Sequence, residues 1–398
     1  MEIPVLFIKK GQERRLRAGH LWVYSNEVDS RRSPLKDFQP GEPVALMNHE
    51  EKWLAWAYVN PNSLICARIV SRRQEHLLDQ SLLVHRIKVA LGLRTRLYQQ
   101  PFYRLLFGES DGVPGLVVDR FGDYLAVQIS TAGMEVQQEA ILAALQKVLR
   151  PKGILLRNDM AVRELEGLER YVEVASGEIP QRVRLQEGDC EFETSLFEGQ
   201  KTGWFYDQAA NRERLLPWVA GKRVLDLFSY AGAWGVRAAK AGAASVTCVD
   251  SSADALELAQ ANAALNGLAE RVKTLREDSF AALKALRQEK ERFDIVLVDP
   301  PAFVKRRKDL KEGALAYRRI NEAAMSVLGR DGLLVSSSCS WHMDSERLLG
   351  TLQQASRHRD RFLQMVERGQ QGPDHPVHPA IAETAYLKTF YLRVLPAL

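Results

Sequence analysis

From residue 223 to residue 338 the chain alternates short apolar runs with longer segments rich in small and apolar residues, the pattern of repeated βα units. Val224-Leu225 ends on Asp226, and a loop containing Gly232 and Gly235 leads into an Ala-rich stretch, Val236 to Ala241, that reads as helix. Val246 to Val249 forms a second run ending on Asp250, and a helix over Ala253 to Leu265 stops at Asn266-Gly267. Val272 to Leu275 is followed by Asp278-Ser279, and Phe293 to Val298 runs into Asp299-Pro300-Pro301-Ala302-Phe303. Gly332 to Ser337 leads to Ser338-Cys339-Ser340. Five strands thus end in polar or reactive residues, which a parallel sheet would gather along one edge. An acid 18 residues past Gly232 suits a ribose diol, so a nucleotide-like ligand is expected beside Asp250.

The remainder of the chain has different patterning. Residues 1–75 carry short β-type runs, Leu21 to Tyr24, Pro43 to Met47, Trp53 to Val59 and Ile65 to Val70, separated by turn signals, which predicts a small β-barrel. Residues 76–195 mix helices (Leu77 to Leu97, Glu135 to Leu149) with strands at Tyr103 to Phe107, Gly115 to Asp119, Tyr124 to Ile129 and Gly153 to Arg157. A hairpin, Val183 to Leu185 with Cys190 to Thr194, leads into residues 196–398. The expected fold class is therefore α/β: a C-terminal Rossmann-like sheet (196–398), an N-terminal β-barrel (1–75) and an α+β middle domain (76–195).

Composition changes this picture little. A chain of 398 residues with 46% hydrophobic and 26% charged residues is that of an ordinary globular protein with ample core. No apolar run approaches the roughly 20 residues of a membrane helix, and no signal segment is evident. Cys66, Cys190, Cys248 and Cys339 are too scattered for a zinc site or disulfide framework, so no metal and a reducing cytoplasm are expected. Net charge is only +5, but residues 1–104 hold 17 Lys or Arg against 10 acids. A basic appendage on a near-neutral body is a footprint for nucleic acid, although a solvated basic face with no partner shows the same charge.

Several motifs narrow the class. Asp226-x-Phe228 with Gly232, then Asp250, Asp278 and Asp299-Pro300-Pro301, resembles a class I S-adenosylmethionine-dependent methyltransferase. Glu198-Gly199-Gln200-Lys201-Thr202-Gly203-Trp204-Phe205-Tyr206-Asp207-Gln208, Ser338-Cys339-Ser340 and Arg17 to Glu27 add detail. Together they resemble the bacterial large-subunit ribosomal RNA cytosine-5 methyltransferases with an N-terminal PUA domain. The resemblance covers essentially the whole chain.

It implies S-adenosyl-L-methionine as cofactor and 23S ribosomal RNA, or a large-subunit assembly intermediate, as partner, with a homodimer left open. Asp250 would take the ribose hydroxyls and Asp278 the adenine amino group. Asp226 and the backbone near Phe228, Ser229 and Gly232 would hold the methionine portion, and Lys201, Thr202, Phe205 and Asp207 would close over it. Asp and Ser after a strand are equally ordinary as helix caps. Lys9, Lys10, Arg14, Arg15 and Arg17 would contact phosphates, with His20 and Trp22 stacking on bases; the alternative for Trp22 is a core position in the barrel. Arg306 and Arg307 follow Phe303 and suit substrate phosphates or a solvated face.

Cytosine C5 is not nucleophilic enough to take a methyl group unaided; a thiolate adding to C6 makes it enamine-like. Cys339 is placed for that nucleophile, and Asp299 for the base's N3. Two departures stand out: the loop has no second cysteine after Asp299-Pro300, and Ala209 follows Asp207-Gln208 where relatives commonly carry arginine. Asp299-Pro300-Pro301-Ala302-Phe303 also resembles the loop of exocyclic-amine methyltransferases, under which Cys339 is incidental. A catalytically inactive RNA-binding protein is the third reading.

Overall fold

The computed structural model describes residues 3–397. The chain divides into two compact units, the first made of Met1–Val183, Ser195–Trp204 and Pro373–Thr384, the second of Arg184–Thr194, Phe205–Gly372 and Ala385–Leu398.

The first unit is built on two five-stranded sheets. One orders its strands as Val5–Phe7, Glu42–Met47, Trp53–Val59, Ile65–Ser71 and Trp22–Tyr24, around Leu6, Ile8, Val23, Val44 and Ile69. The other runs Tyr171–Gly177, Gly153–Asn158, Tyr124–Ile129, Leu116–Phe121 and Phe102–Phe107, with the helices Gln80–Leu97 and Gln138–Leu149. The helix expected from Glu135 to Leu149 is two, Ala132–Val136 and Gln138–Leu149, because Gln137 leaves helical geometry (ψ 10°). The buried Tyr58 hydroxyl joins the sheets, donating to the Pro114 carbonyl at 2.7 Å and lying 3.0 Å from Thr131 Oγ1. Gly133 is required there, since a Cβ would stand 2.0 Å from the Tyr58 ring.

The second unit is a seven-stranded sheet: β1 (Arg223–Leu227), β2 (Ser245–Asp250), β3 (Val272–Arg276), β4 (Phe293–Val298), β5 (Leu328–Ser338), β6 (Arg361–Gln370) and β7 (Lys388–Pro396). Their spatial order is β3-β2-β1-β4-β5-β7-β6. The first five are parallel, and β7 inserts antiparallel between β5 and β6. Helices α1 (Ala233–Lys240), α2 (Ala253–Leu265), α3 (Ser279–Gln288), α4 (Leu310–Val327) and α5 (Ser345–Arg357) connect the strands. Strands buried on both faces read as continuous apolar runs, which is why β4 (Phe-Asp-Ile-Val-Leu-Val) has the bounds its sequence predicts. The strand order reverses between β1 and β4, the place where such sheets bind ligands beyond their carboxyl ends. Arg184–Thr194 joins this unit because Asn262 of α2 bonds the Glu193 backbone in both directions, at 2.7 and 3.3 Å.

Candidate active site

At the switch point the chain leaves β1 through a strained loop. Phe228 and Tyr230 both have positive φ (59° and 46°), a region costly for residues with a Cβ. Neighbouring strands hold the loop: Ser229 N–H donates to the Val249 carbonyl at 3.0 Å, and Tyr230 N–H to Asp250 Oδ2 at 3.0 Å. Gly232 (φ 75°) caps α1, and a Cβ on it would lie 2.8 Å from the Ala259 Cβ. Gly235 lets α1 lie on the sheet, because a Cβ there would meet Cys248 Sγ at 2.7 Å.

Asp226 is fully buried and accepts from Gly235 N–H at 3.0 Å, while its Oδ1 has no partner. Burial is the main cause of a carboxyl pushed up to about 8, with Asp299 and Asp250 raising it further. Asp250 receives Tyr230 N–H on one oxygen and Ser252 N–H (2.9 Å) on the other, which fixes the carboxylate at the end of β2. Asp278 is exposed and caps α3, its Oδ1 accepting from Phe280 N–H at 2.9 Å and Ala281 N–H at 3.2 Å. Phe205 meets the Tyr230 ring edge-on at 5.6 Å, and Asp207 accepts from the Tyr386 hydroxyl at 2.5 Å. Phe205, Asp207, Asp226, Phe228, Ser229, Gly232 and Asp250 therefore belong to one unit, as does Asp278. Lys201 and Thr202 belong to the other, where the Thr202 hydroxyl donates to Asp119 at 2.5 Å.

Beyond β4, Asp299 is clamped by Gln208 Nε2 (2.8 Å) and the Trp234 indole N–H (3.0 Å). Burial and then the Asp207 charge push it upward, against Trp234, Arg212 and Gln208, to about 6. Phe303 packs on Tyr317 at 4.8 Å and lies 6.4 Å from Phe228. Cys339 follows β5, half-buried between the buried Ser338 and Ser340. The Tyr317 hydroxyl receives Ser338 Oγ at 2.9 Å and lies 3.1 Å from Ser340 Oγ, which braces the turn. The other three thiols are buried: burial pushes Cys66 and Cys190 up to about 12, and Cys248 well above the usual thiol range. Sequence reasoning missed Gln208, Trp234 and Lys388; Lys388 Nζ donates to the carbonyls of Ser340 (2.6 Å) and Tyr386 (2.8 Å).

Among the basic candidates, Lys9, Lys10, Arg14 and Arg17 are exposed, as are Arg306 and Arg307. Arg15 is paired with Glu27 at 2.7 Å, and the Trp22 indole donates to Glu109 at 2.8 Å. His20 is buried with its Nδ1 accepting from Trp22 N–H. No group of His, Cys, Asp or Glu among the described residues is arranged to hold a metal ion, and none of their helices is long and apolar enough to cross a membrane.

Residues 6–72 match the PUA-like domain family, and residues 162–393 match the S-adenosylmethionine-dependent methyltransferase family. The chain is a member of that methyltransferase family. It is 36% identical to a ribosomal RNA large subunit methyltransferase I from Erwinia tasmaniensis over 98% of this chain and 99% of the relative. A namesake from Vibrio cholerae is also 36% identical, over 98% and 100%. In fold it resembles a SAM-dependent methyltransferase structure from Streptococcus mutans (TM-score 0.82, 22% identity, 98% of this chain and 100% of that one). A similar structure, described as a methyltransferase complexed with SAH, superposes with a TM-score of 0.84 at 22% identity, again over 98% and 100%.

The enzyme's residues fit S-adenosylmethionine. The buried, unpartnered Asp226 Oδ1 suits an ammonium, and Asp250 at the next strand end suits a diol. The buried carboxyl also sets the sign of a pH effect. Asp226 binds its proton more tightly folded than unfolded, so its contribution to stability falls as pH rises from about 4 to about 8. Asp226→Asn is expected to raise the melting temperature of the ligand-free enzyme at pH 8, leave it unchanged at pH 4, and weaken S-adenosylmethionine binding. Thermal melts at both pH values and calorimetric titration check this; equal shifts at the two pH values would contradict the buried-carboxyl account.

Proposed function

We propose that this enzyme methylates C5 of a cytosine in 23S ribosomal RNA through a covalent adduct of Cys339 at C6. The observation that supports it best is the contrast among thiols: three are buried, and the one partly open to solvent stands at the end of β5, beside the strand that ends on Asp299. Ribosomal RNA as the substrate class is supported by what the relatives' names say of them.

S-adenosylmethionine, when bound, supplies an electrophilic methyl group. The Cys339 thiolate forms a bond to C6, and the C5–C6 electron pair moves so that C5 becomes nucleophilic. Negative charge reaches N3, where the Asp299 carboxyl, already raised toward neutrality, donates a hydrogen bond or proton. Gln208 and Trp234 fix its direction. Once C5 carries the methyl group, its proton leaves to a base, the C5–C6 double bond re-forms and the C6–S bond breaks, returning the thiolate. The loop has no second cysteine, so water is the proposed proton acceptor. Under the exocyclic-amine reading Phe303, which packs on Tyr317, would stack on the base and Cys339 would be incidental.

In this reading residues 1–75 are the PUA-like RNA-binding domain, residues 76–195 shape the RNA path and residues 196–398 carry the chemistry. Lys9, Lys10, Arg14 and Arg17 contact phosphates, joined by Arg306 and Arg307 near the catalytic loop. Arg15 and His20 bond within the barrel, and the Trp22 indole is taken by Glu109 of the segment that follows it. The test is transfer of labelled methyl to deproteinised 23S RNA and to assembly intermediates, with nucleoside analysis. Label in 5-methylcytidine is expected; label in an N-methylated base would sink the reading.

A further inference from the structure

Lys388 opens β7 opposite Ser338 of β5, and its side chain is buried. Nζ donates to the carbonyl of Ser340, next to Cys339, at 2.6 Å and to that of Tyr386, just ahead of β7, at 2.8 Å, so the lysine ties the start of its own strand to the turn that carries Cys339. Both partners are neutral, and no carboxylate among the described residues is in ion-pair range of Nζ. A buried ammonium satisfied only by carbonyls lacks a compensating anion. The charged groups facing it are few. Cys339 lies in the turn after β5, and Asp344 caps α5 while pairing with Arg347 at 3.3 Å. From α4 comes the Tyr317 hydroxyl, which feels Cys339 as well. On the β7 side, Asp207 is bound by the Tyr386 hydroxyl. Burial pulls the amine down to about 8, while Cys339 first and Asp344 second pull it back up.

We propose that Lys388 is a positioning residue that keeps Cys339 as a thiolate before the base arrives. The inference rests on the cysteine reading above. The thiol proton passes to the neutral amine, giving an ammonium–thiolate pair; bond formation to C6 uses the anion, and release of the product restores it. Holding the Ser340 carbonyl also points the turn, but a purely structural strap would leave the thiol's ionisation alone.

Iodoacetamide alkylation of the full-length enzyme without RNA, followed against pH and mapped to Cys339 by mass spectrometry, separates the two. The wild-type rate is expected to reach its plateau below the usual thiol midpoint of about 8.5. In Lys388→Met the midpoint should rise by about one unit or more, with a rate at pH 7 reduced roughly tenfold, and Lys388→Arg should restore it. An unshifted midpoint in folded Lys388→Met, or an ordinary midpoint in the wild type, overturns the proposal. If Lys388→Met does not fold, the wild-type profile and Lys388→Arg decide. The cysteine reading fails separately, by N-methylated product in the RNA assay, whatever the alkylation profile shows.

Discussion

Cys339→Ala is expected to lower methyl transfer to RNA by at least about four orders of magnitude, equivalent to roughly 5.5 kcal/mol of barrier. The size follows from the chemistry. Without addition at C6 the C5 carbon keeps its aromatic, weakly nucleophilic character, and no other group of the site offers a replacement. Cys66, Cys190 and Cys248 are buried with their thiols held protonated, so none can substitute. S-adenosylmethionine binding should change by less than about threefold, because Cys339 follows β5 while the residues proposed for the cofactor cluster after β1 and β2. RNA carrying 5-fluorocytosine should form a denaturation-resistant adduct with the wild type and not with the variant, since fluorine at C5 cannot leave as a cation. Turnover measured with labelled cofactor and the adduct on a denaturing gel check both halves. A variant active to within tenfold would mean that the Asp299 loop carries the reaction and the thiol is incidental.

How much of this was legible beforehand depends on where each residue's partners lie. Strands β1, β2 and β4 could be read because their buried positions make each a short apolar run, and the acids at their ends were visible for the same reason; β3, the edge strand with only Val272 buried, showed itself through Val272 and Leu275 alone. The α2 helix has the bounds its Ala-rich sequence predicts. Strand β6 was not legible: Arg-Phe-Leu-Gln-Met-Val-Glu-Arg-Gly-Gln is an edge strand with mostly exposed or half-buried side chains and no clean alternation. Without β6 and β7 the antiparallel insertion was invisible, and with it the place of Lys388 opposite Ser338. The clamp on Asp299 joins residues 208, 234 and 299, separations that no local pattern reports. Thr202 illustrates the converse. It stands three residues before Phe205, yet its hydroxyl is taken by Asp119, 83 residues away. The double capping of Asp278, by contrast, had been an open alternative from the Asp-Ser pair alone.

The same long-range logic makes Glu187 a sensitive point for stability in the catalytic unit. It lies in the hairpin ahead of β1, buried, and receives the Arg212 guanidinium on both oxygens at 2.6 Å, with Arg237 of α1 at 3.4 Å. Arg212 also donates to the Phe205 carbonyl at 2.8 Å, and Arg237 bonds Glu213. One carboxylate therefore organises the hairpin, the segment bearing Phe205 and Asp207, and the helix that presents Trp234. Glu187→Ala removes the anion and leaves two buried guanidinium groups, a loss of about 3–5 kcal/mol for breaking a buried pair from one side. For a unit of this size that is a fall of roughly 10 °C in melting temperature. Glu187→Gln should cost less, because the amide oxygen still accepts one guanidinium bond. Cofactor affinity should fall with Glu187→Ala even below the melting transition, since Phe205 loses part of its tether. Melting curves and calorimetric titration of the three proteins measure this, and a Glu187→Ala melt within about 2 °C of wild type would show that the carboxylate does not organise these elements.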